Sequence, residues 1–236
     1  MVIPGGVLHE RNARIFFGTK SDDALPESFG ATKFLKQIHS NKVHLLDDIK
    51  TDTSVIEADA IVTTLYDVNL CIKTADCVPI IIYDRANDII AAIHAGWRGA
   101  SSGVIQNTIE LMHRIGCNFS HTYAFIGPCI RQESYEVSEE VFNAFKNFDK
   151  FSDIFFKKYK KDKFFFNLSE YCKYALCESG INIDNITDLL LDTFLHPKLF
   201  YSYRYYQREG MELKNNQRQI SMIRLEKSLL KNNKVF

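Results

Sequence analysis

The amino-acid sequence predicts an α+β fold: a single domain of mixed, largely antiparallel β-sheets layered with α-helices. The first half of the chain carries short apolar runs rich in β-branched residues, whereas helical spacing of apolar residues begins after Gly99. The chain has 236 residues, enough to bury one large core, and its sequence contains no repeat, low-complexity tract or linker. We therefore expect one domain over residues 1–236.

The first half of the chain is predicted to form short strands. Two strand pieces, Phe34–His39 and Val43–Leu46, flank a bend at His39. The strongest signal is a pair of apolar runs, Val78–Tyr83 and Ile89–Ile93, separated by a polar five-residue turn. That pattern is typical of a β-hairpin. Further strands are predicted at Ile15–Thr19, Ala58–Thr63 and Leu70–Ile72.

Helices are predicted where apolar residues recur every three or four positions. The first covers Val104–Ile115, with a serine at 101–102 as its N-cap. A second begins at Ser138, and a third follows Asn167, which with Glu170 forms a variant of the capping box. The other segments are interpreted as strands at Thr122–Ile126, Phe200–Arg204 and Gln219–Ile223, a loop or irregular helix at Asp149–Lys163, and mixed structure at Asp184–Leu191.

Charge and composition narrow the functional classes. Lys plus Arg and Asp plus Glu both number 29, so net charge gives no reason to expect nucleic acid or a membrane surface as a partner. The basic run at 157–161 is interpreted as a solvated face. We expect no membrane helix, no secretory leader and no disulfide scaffold, which favours a cytoplasmic protein. The oligomeric state is not indicated.

Reactive side chains gather at the open end of the predicted hairpin. Asp76 and Cys77 lead into its first strand, and His94 ends its second. Because the two strands of a hairpin are antiparallel, the thiol of Cys77 and the imidazole of His94 should lie close together. The following residues, Ala-Gly-Trp-Arg-Gly at 95–99, supply Arg98 and two glycines where the backbone must turn tightly or approach a ligand.

A thiol beside an imidazole permits two interpretations. Cys77 and His94 could be a nucleophile with its base, or two ligands of a metal ion. His39 could add a third donor, which would complete a catalytic zinc site with its fourth position open to water or substrate. From spacing alone, His39 could equally be a histidine of a surface loop. Cys77 could equally be a small residue buried in the core.

Five short motifs carry a resemblance to a known family. They are IHS at 38–40, ADC at 75–77, HAGWRG at 94–99, GPCI at 127–130 and YSYR at 201–204. In this order they resemble the YfiH family of laccase-domain proteins, formerly described as multicopper polyphenol oxidases. The resemblance covers the chain from Lys33 to Ile223 and implies a layered α–β fold. It also implies a zinc-dependent purine nucleoside phosphorylase with adenosine deaminase and methylthioadenosine phosphorylase activities, acting on purine nucleosides and phosphate.

The resemblance also implies roles for individual residues. The zinc ligands of the family fall on His39, Cys77 and His94, the same three donors considered above. Asp76 and Arg98 lie in the same motifs and are expected to line the site as catalytic residues. Asp76 could move a proton, and Arg98 could hold phosphate or the departing charge. Arg98 could instead form a structural ion pair, and Cys129 in GPCI could line the site or be a buried thiol.

The chain departs from the family pattern away from these ligands. The early segment is shortened, Asp192-Thr193 replaces a common Cys-Thr, and residues 205–210 replace an Arg-Asp-Gly. The ligand motifs are intact, so the metal site is expected to persist. Phosphate and ribose contacts are left unassigned.

Three alternative functions stay open. One is a metal-free Cys77–His94 hydrolase or amidase, such as a peptidoglycan-editing enzyme. Another is a copper polyphenol oxidase, since blue-copper sites also use two His and one Cys. Copper is less expected than zinc, because multicopper sites need several His clusters and the chain has seven His in all. The third is an interaction protein with structural zinc, which normally takes four protein ligands.

Overall fold

The computed structural model describes residues 5–22 and 31–227, which contain three β-sheets, five α-helices and several short 3-10 helices. The strands are β1 Val7–Glu10, β2 Ala13–Phe17, β3 Ala31–Phe34, β4 Val43–Leu46, β5 Ala60–Thr63, β6 Val68–Thr74, β7 Val78–Asp84, β8 Ile89–Ala95, β9 Thr122–Ile126, β10 Glu136–Ser138, β11 Phe156–Lys160, β12 Lys163–Phe166, β13 Ile186–Asp188 and β14 Gln219–Leu225. The helices are α1 Trp97–Ala100, α2 Val104–Arg114, α3 Glu139–Phe148, α4 Leu168–Glu178 and α5 Tyr203–Arg208. None of these helices combines the length and the apolar character that a membrane crossing requires. The two ends of the predicted domain lie outside the described residues.

The sheets are mixed but mainly antiparallel. The six-stranded sheet has the order β13-β9-β7-β8-β5-β4, and the five-stranded sheet has the order β1-β2-β14-β6-β3. A small third sheet has the order β10-β12-β11. Among the named strands, β13 pairs parallel with β9, β3 with β6, and β4 with β5. The predicted α+β class with largely antiparallel sheets is confirmed.

The central strand β7 explains the layering. Ile80 and Ile82 pack into one core with residues of α2 and α4, whereas Ile81 and Tyr83 pack into a second core with the five-stranded sheet. A strand that is buried on both faces needs apolar side chains at every position, which accounts for the uninterrupted run. Helices, the six-stranded sheet and the five-stranded sheet thus form three layers.

The predicted hairpin is confirmed and sets the position of the site. β7 and β8 pair antiparallel with Val78 opposite Ala95 and Pro79 opposite His94. Because Asp84 still pairs with Ile89, the turn is one residue shorter than expected. This register places Cys77, which directly precedes β7, beside the end of β8.

Two predictions for the later segments are wrong. Phe200–Arg204 is not a strand, because Ser202 caps α5 by accepting a hydrogen bond from the main-chain N–H of Tyr205 at 3.1 Å. Asp149–Lys163 is not a loop or irregular helix throughout, because β11 turns at Asp162 and pairs with β12. The rings of Phe156 and Phe166 stack across that pair at 4.0 Å, a contact that the lysine-rich sequence between them did not indicate.

The N-cap predicted for α2 is also wrong. Gly103, not a serine, is the N-cap, and its φ of 97° is in the left-handed region that glycine tolerates. Ser102 instead donates its hydroxyl to the carbonyl of Arg98 at 2.8 Å. The predicted cap of α4 is correct, since Asn167 accepts from the N–H of Glu170.

Candidate metal centre

The structure brings three sequence-predicted donors together. One ligand atom each of His39, Cys77 and His94 lies within 4.8 Å of the other two. Sγ of Cys77 is 3.8 Å from Nε2 of His39, and the two imidazole rings meet edge to face at 4.8 Å. His94 is buried, Cys77 is half-buried and His39 is exposed. The donors are therefore anchored in the core and open to solvent on one side.

The backbone at His39 has an unusual conformation that hydrogen bonds hold in place. His39 lies between β3 and β4 with a φ of 59°, a left-handed geometry that few residues other than glycine adopt. Its main-chain N–H donates to the carboxylate of Asp59 at 2.9 Å, and the N–H of Ser40 donates to the same group at 2.6 Å. These charge-assisted bonds offset the cost of the conformation and fix the imidazole toward Cys77.

Asp59 also orients His94. Its Oδ1 lies 2.8 Å from Nδ1 of that ring, and the carboxylate is fully buried. A buried carboxylate accepts, so Nδ1 carries the proton and Nε2 remains available as a ligand. Sequence reasoning missed this residue. The available signal was a single acid between two alanines, Ala58 and Ala60, at the start of a strand.

Electrostatics favours ionisation of the thiol. Burial by itself raises the pKa of Cys77, but the charge of His94 and the hydrogen bond with His39 bring it down to about 6. Burial lowers the pKa of His94, whereas the charge of Cys77 and the bond to Asp59 raise it to about 9. An easily ionised thiol suits both metal binding and nucleophilic attack.

Glycine is required beside the donors. A Cβ on Gly96 would lie 2.8 Å from Cδ2 of His39 and 3.1 Å from Sγ of Cys77. A Cβ on Gly99 would lie 2.8 Å from the carbonyl oxygen of Ser40. Both glycines of the AGWRG segment thus allow the start of α1 to pack closely against His39, Ser40 and Cys77. This agrees with the close backbone approach that the sequence predicted.

A cavity of about 570 Å³ opens above the donors. Its apolar and aromatic walls include Trp97, Tyr135 and Tyr203. Its cationic side chains are Lys73, Arg98, Arg204 and Arg218. Cavities of this size hold small organic molecules, and the aromatic and cationic walls suit a planar ring with an anionic group.

A family model described as multi-copper polyphenol oxidoreductase laccase matches residues 21–226. The chain belongs to this laccase-like YfiH family. A Rickettsia conorii protein named purine nucleoside phosphorylase is 34% identical over 175 residues, covering 72% of this chain and 69% of that protein. A protein named adenosine deaminase, from an unknown prokaryotic organism, is 33% identical over 161 residues, covering 65% and 62%. The crystal structure of Bacillus licheniformis YfiH shares the fold, with a TM-score of 0.81, 24% identity and coverage of 91% and 93%.

Asp76 lines the cavity of this YfiH-family chain. It is buried, and its carboxylate accepts from the hydroxyl of Thr193 at 2.6 Å and from the main-chain N–H of Arg204 at 2.7 Å. Burial raises the pKa of Asp76, against the effect of these hydrogen bonds. Only the first residue of the Asp192-Thr193 pair departs from the usual Cys-Thr, and Thr193 contacts the motif that contains Cys77.

Two other motif residues are also placed by the structure. Arg98 is exposed at the rim, with its guanidinium 4.3 Å from the ring centroid of Trp97. It makes no ion pair with any carboxylate in the described parts of the chain, so the structural ion pair considered for it is not observed. Cys129 is fully buried, and its neighbour Ile130 contacts the cavity instead, which agrees with the buried-thiol interpretation.

Proposed function

We propose that this chain is a zinc-dependent purine nucleoside phosphorylase that also deaminates adenosine at the same site. The candidate phosphorolysis substrates are adenosine, inosine, guanosine and methylthioadenosine. The observation that carries the proposal is the cluster of His39, Cys77 and His94 at the base of a cavity with aromatic and cationic walls. The names of the curated relatives support the same chemistry.

The donor set fits zinc. Two imidazoles and one thiolate form a borderline-soft set that suits tetrahedral zinc and leaves one position open. Asp59 supplies the carboxylate partner that zinc-binding histidines usually have. No methionine lines the cavity within the described ranges, so the soft axial ligand typical of blue copper is missing. When bound, zinc would act as a Lewis acid toward a substrate oxygen or nitrogen.

The side chains of the cavity supply the remaining chemistry. In phosphorolysis an oxygen of phosphate bonds to C1′ while the bond from C1′ to the purine breaks, and the purine leaves with the electron pair and needs a proton. We assign that proton to the carboxyl of Asp76, whose burial raises its pKa. Arg98 binds phosphate at the rim, and Trp97 and Tyr135 contact the purine ring. All six cysteines are free, which fits the reducing cytoplasm in which we place the enzyme.

Chromatography of nucleoside reactions tests the proposal. The purified protein is incubated with each of the four nucleosides, with and without inorganic phosphate. We expect free base and a sugar 1-phosphate only when phosphate is present, and conversion of adenosine to inosine in its absence. Release of base from none of the four nucleosides would refute the phosphorylase assignment.

One observation favours a second candidate, a metal-free cysteine hydrolase or amidase. Asp59, His94 and Cys77 follow the acid–imidazole–thiol order of such enzymes. That mechanism gives no role to His39, the third donor 3.8 Å from Sγ. A chelator separates the two candidates, because it should abolish the zinc-dependent activity and leave a thiol hydrolase intact.

A further inference from the structure

Two arginines of the cavity differ from the other half-buried arginines of this protein. Arg204 and Arg218 are half-buried but make no ion pair with a carboxylate of residues 5–22 or 31–227. Charges that leave water are normally paired. The half-buried arginines outside the cavity each form an ion pair with a carboxylate. The pairs are Arg14 with Glu226, Arg85 with Glu10, Arg131 with Asp188 and Arg224 with Asp67.

Arg204 is anchored at both its main chain and its side chain. Its N–H donates to Asp76, and its Nη1 donates to the carbonyl of Glu136 at 2.7 Å. The guanidinium lies 5.5 Å from the ring centroid of Tyr135. A guanidinium has five N–H donors. The hydrogen bond to Glu136 uses Nη1, on one edge of the Arg204 group. The rest of the fork is free to bind an anion.

Arg218 is fixed by the turn that precedes β14. Its Nη1 donates to the carbonyls of Lys214 and Gln217 at 3.1 and 2.8 Å. Two hydrogen bonds between Lys214 and Gln217 stabilise this turn. The main-chain N–H of Gln217 donates to the carbonyl of Lys214, and the side-chain oxygen of Gln217 accepts from the main-chain N–H of Lys214. The guanidinium is therefore preorganised before any ligand arrives.

The charge balance of the cavity also favours an anion. Four cationic side chains line it, whereas Asp76 is the only carboxylate among the described lining residues. The oxygens of Asp76 already accept from Thr193 and from the main chain of Arg204. Asp76 and the thiol of Cys77 still act on Arg218 through space, but no carboxylate of the described residues forms an ion pair with Arg204 or Arg218. An incoming oxyanion can therefore bind these guanidinium donors directly.

We propose that Arg204 and Arg218 form the subsite that binds inorganic phosphate, the attacking cosubstrate. The inference rests on the proposed phosphorylase function and extends it, because Arg98 then closes the subsite from the exposed rim. Two guanidinium forks present several N–H donors to a tetrahedral oxyanion, which matches the geometry of phosphate better than a single rim arginine. Neither Arg204 nor Arg218 was assigned a role from the sequence.

Phosphate titration of zinc-loaded protein by calorimetry tests the subsite directly. Arg204→Gln and Arg218→Gln should each weaken phosphate binding, and raise the KM for phosphate, by roughly tenfold or more. Arg218→Lys keeps the charge and should fall between wild type and Arg218→Gln. Arg208→Gln is the matched control, because Arg208 is exposed on α5 and pairs with Glu209. It should bind phosphate as wild type does.

Further measurements separate this subsite from a structural role and from the proposed function. Zinc content should stay within about threefold of wild type in both glutamine variants, and adenosine deamination should fall much less than phosphate affinity, since that reaction uses no phosphate. Unchanged phosphate affinity in both variants, or parallel loss of zinc and deamination, would overturn the subsite. If wild type binds phosphate through these arginines but releases no base, the subsite stands and the phosphorylase assignment fails.

Discussion

Asp59 and His94 share a 2.8 Å hydrogen bond inside the core, between a fully buried carboxylate and an imidazole that is 3% exposed. The same carboxylate accepts the main-chain N–H of His39 at 2.9 Å. One buried acid thus positions two candidate ligands that come from distant parts of the chain. The site is better described as three donors with a shared positioning residue than as three donors alone.

Replacing Asp59 should weaken zinc binding without removing a ligand. Asp59→Asn keeps the size of the side chain but loses its charge and half of its acceptors, so the orientation of both imidazoles is less defined. We expect zinc affinity to fall by about 10–100-fold, measured by competition with a chromophoric chelator. Ser40→Ala is the control, because it removes one hydroxyl donor to Asp59 and leaves the bond to His94. Wild-type affinity in Asp59→Asn would contradict this role.

Asp59 should also contribute to the acid stability of the metal-free protein. Burial raises the pKa of Asp59, but hydrogen bonds from His94 and Ser40 lower it from 3.8 to about 2. A lowered pKa stabilises the folded state above pH 3.8, and this contribution is lost as pH falls through about 2. The shift corresponds to about 2 kcal/mol. Urea unfolding should therefore show the gap between wild type and Asp59→Asn narrowing by that amount from pH 5 to pH 2, whereas a constant gap would disprove the linkage.

Gly96→Ala should weaken zinc binding, although alanine can adopt the backbone conformation found at this position. The φ of Gly96 is −76°, so strain arises only from the methyl group, which would contact His39 at 2.8 Å and Cys77 at 3.1 Å. We expect zinc affinity to fall on the order of tenfold, with a much smaller change in the unfolding temperature of the metal-free protein. Equal zinc affinity in the variant would mean that the donors have room to shift.

Metal should protect the thiol of Cys77 from alkylation. In chelated protein at pH 7, Cys77 should react selectively, because its pKa is about 6. Burial raises the pKa of the five other thiols, those of Cys71, Cys117, Cys129, Cys172 and Cys177. Iodoacetamide labelling followed by peptide mass spectrometry should show slow modification of Cys77 in zinc-loaded protein and fast modification after chelation. Fast labelling that zinc leaves unchanged would favour a catalytic nucleophile.

Arg98→Lys should affect phosphorolysis more than deamination. An ammonium cannot reproduce the bidentate fork of a guanidinium on phosphate. Because Arg98 is exposed, we expect a moderate loss of roughly tenfold in kcat/KM for phosphorolysis, about 1.4 kcal/mol. Zinc content should be unchanged, and adenosine deamination should fall less. Equal loss of both activities with zinc retained would show that Arg98 shapes the cavity instead of binding phosphate.

The sequence predicted those parts of the molecule that local pattern controls. The apolar runs of β7 and β8 predicted the hairpin, and the hairpin by itself placed Cys77 beside His94. The capping pair of Asn167 and Glu170 similarly predicted the start of α4.

The features that the sequence did not predict depend on distant contacts or on single side chains. The contribution of Asp59 depends on His94, 35 residues further along the chain, and the position of Arg218 depends on its turn packing beside the cavity. The sequences of β11 and β12 do not alternate between apolar and polar residues, and the rings of Phe156 and Phe166 stack across the pair. The helix α5 depends on a single cap, Ser202. The contacts of Asp59 and Arg218 follow from the assembled layers, and a single cap or ring pair leaves only a weak signal in local composition.

Metal analysis of the purified, catalytically active protein tests the central claim most directly. Mass spectrometry with elemental detection should find one zinc ion per chain, and His39→Ala, Cys77→Ala and His94→Ala should each lose both zinc and activity while remaining folded. Full nucleoside phosphorolysis by protein that contains no metal would contradict the zinc centre. Stoichiometric copper with a blue thiolate absorption band would contradict it equally.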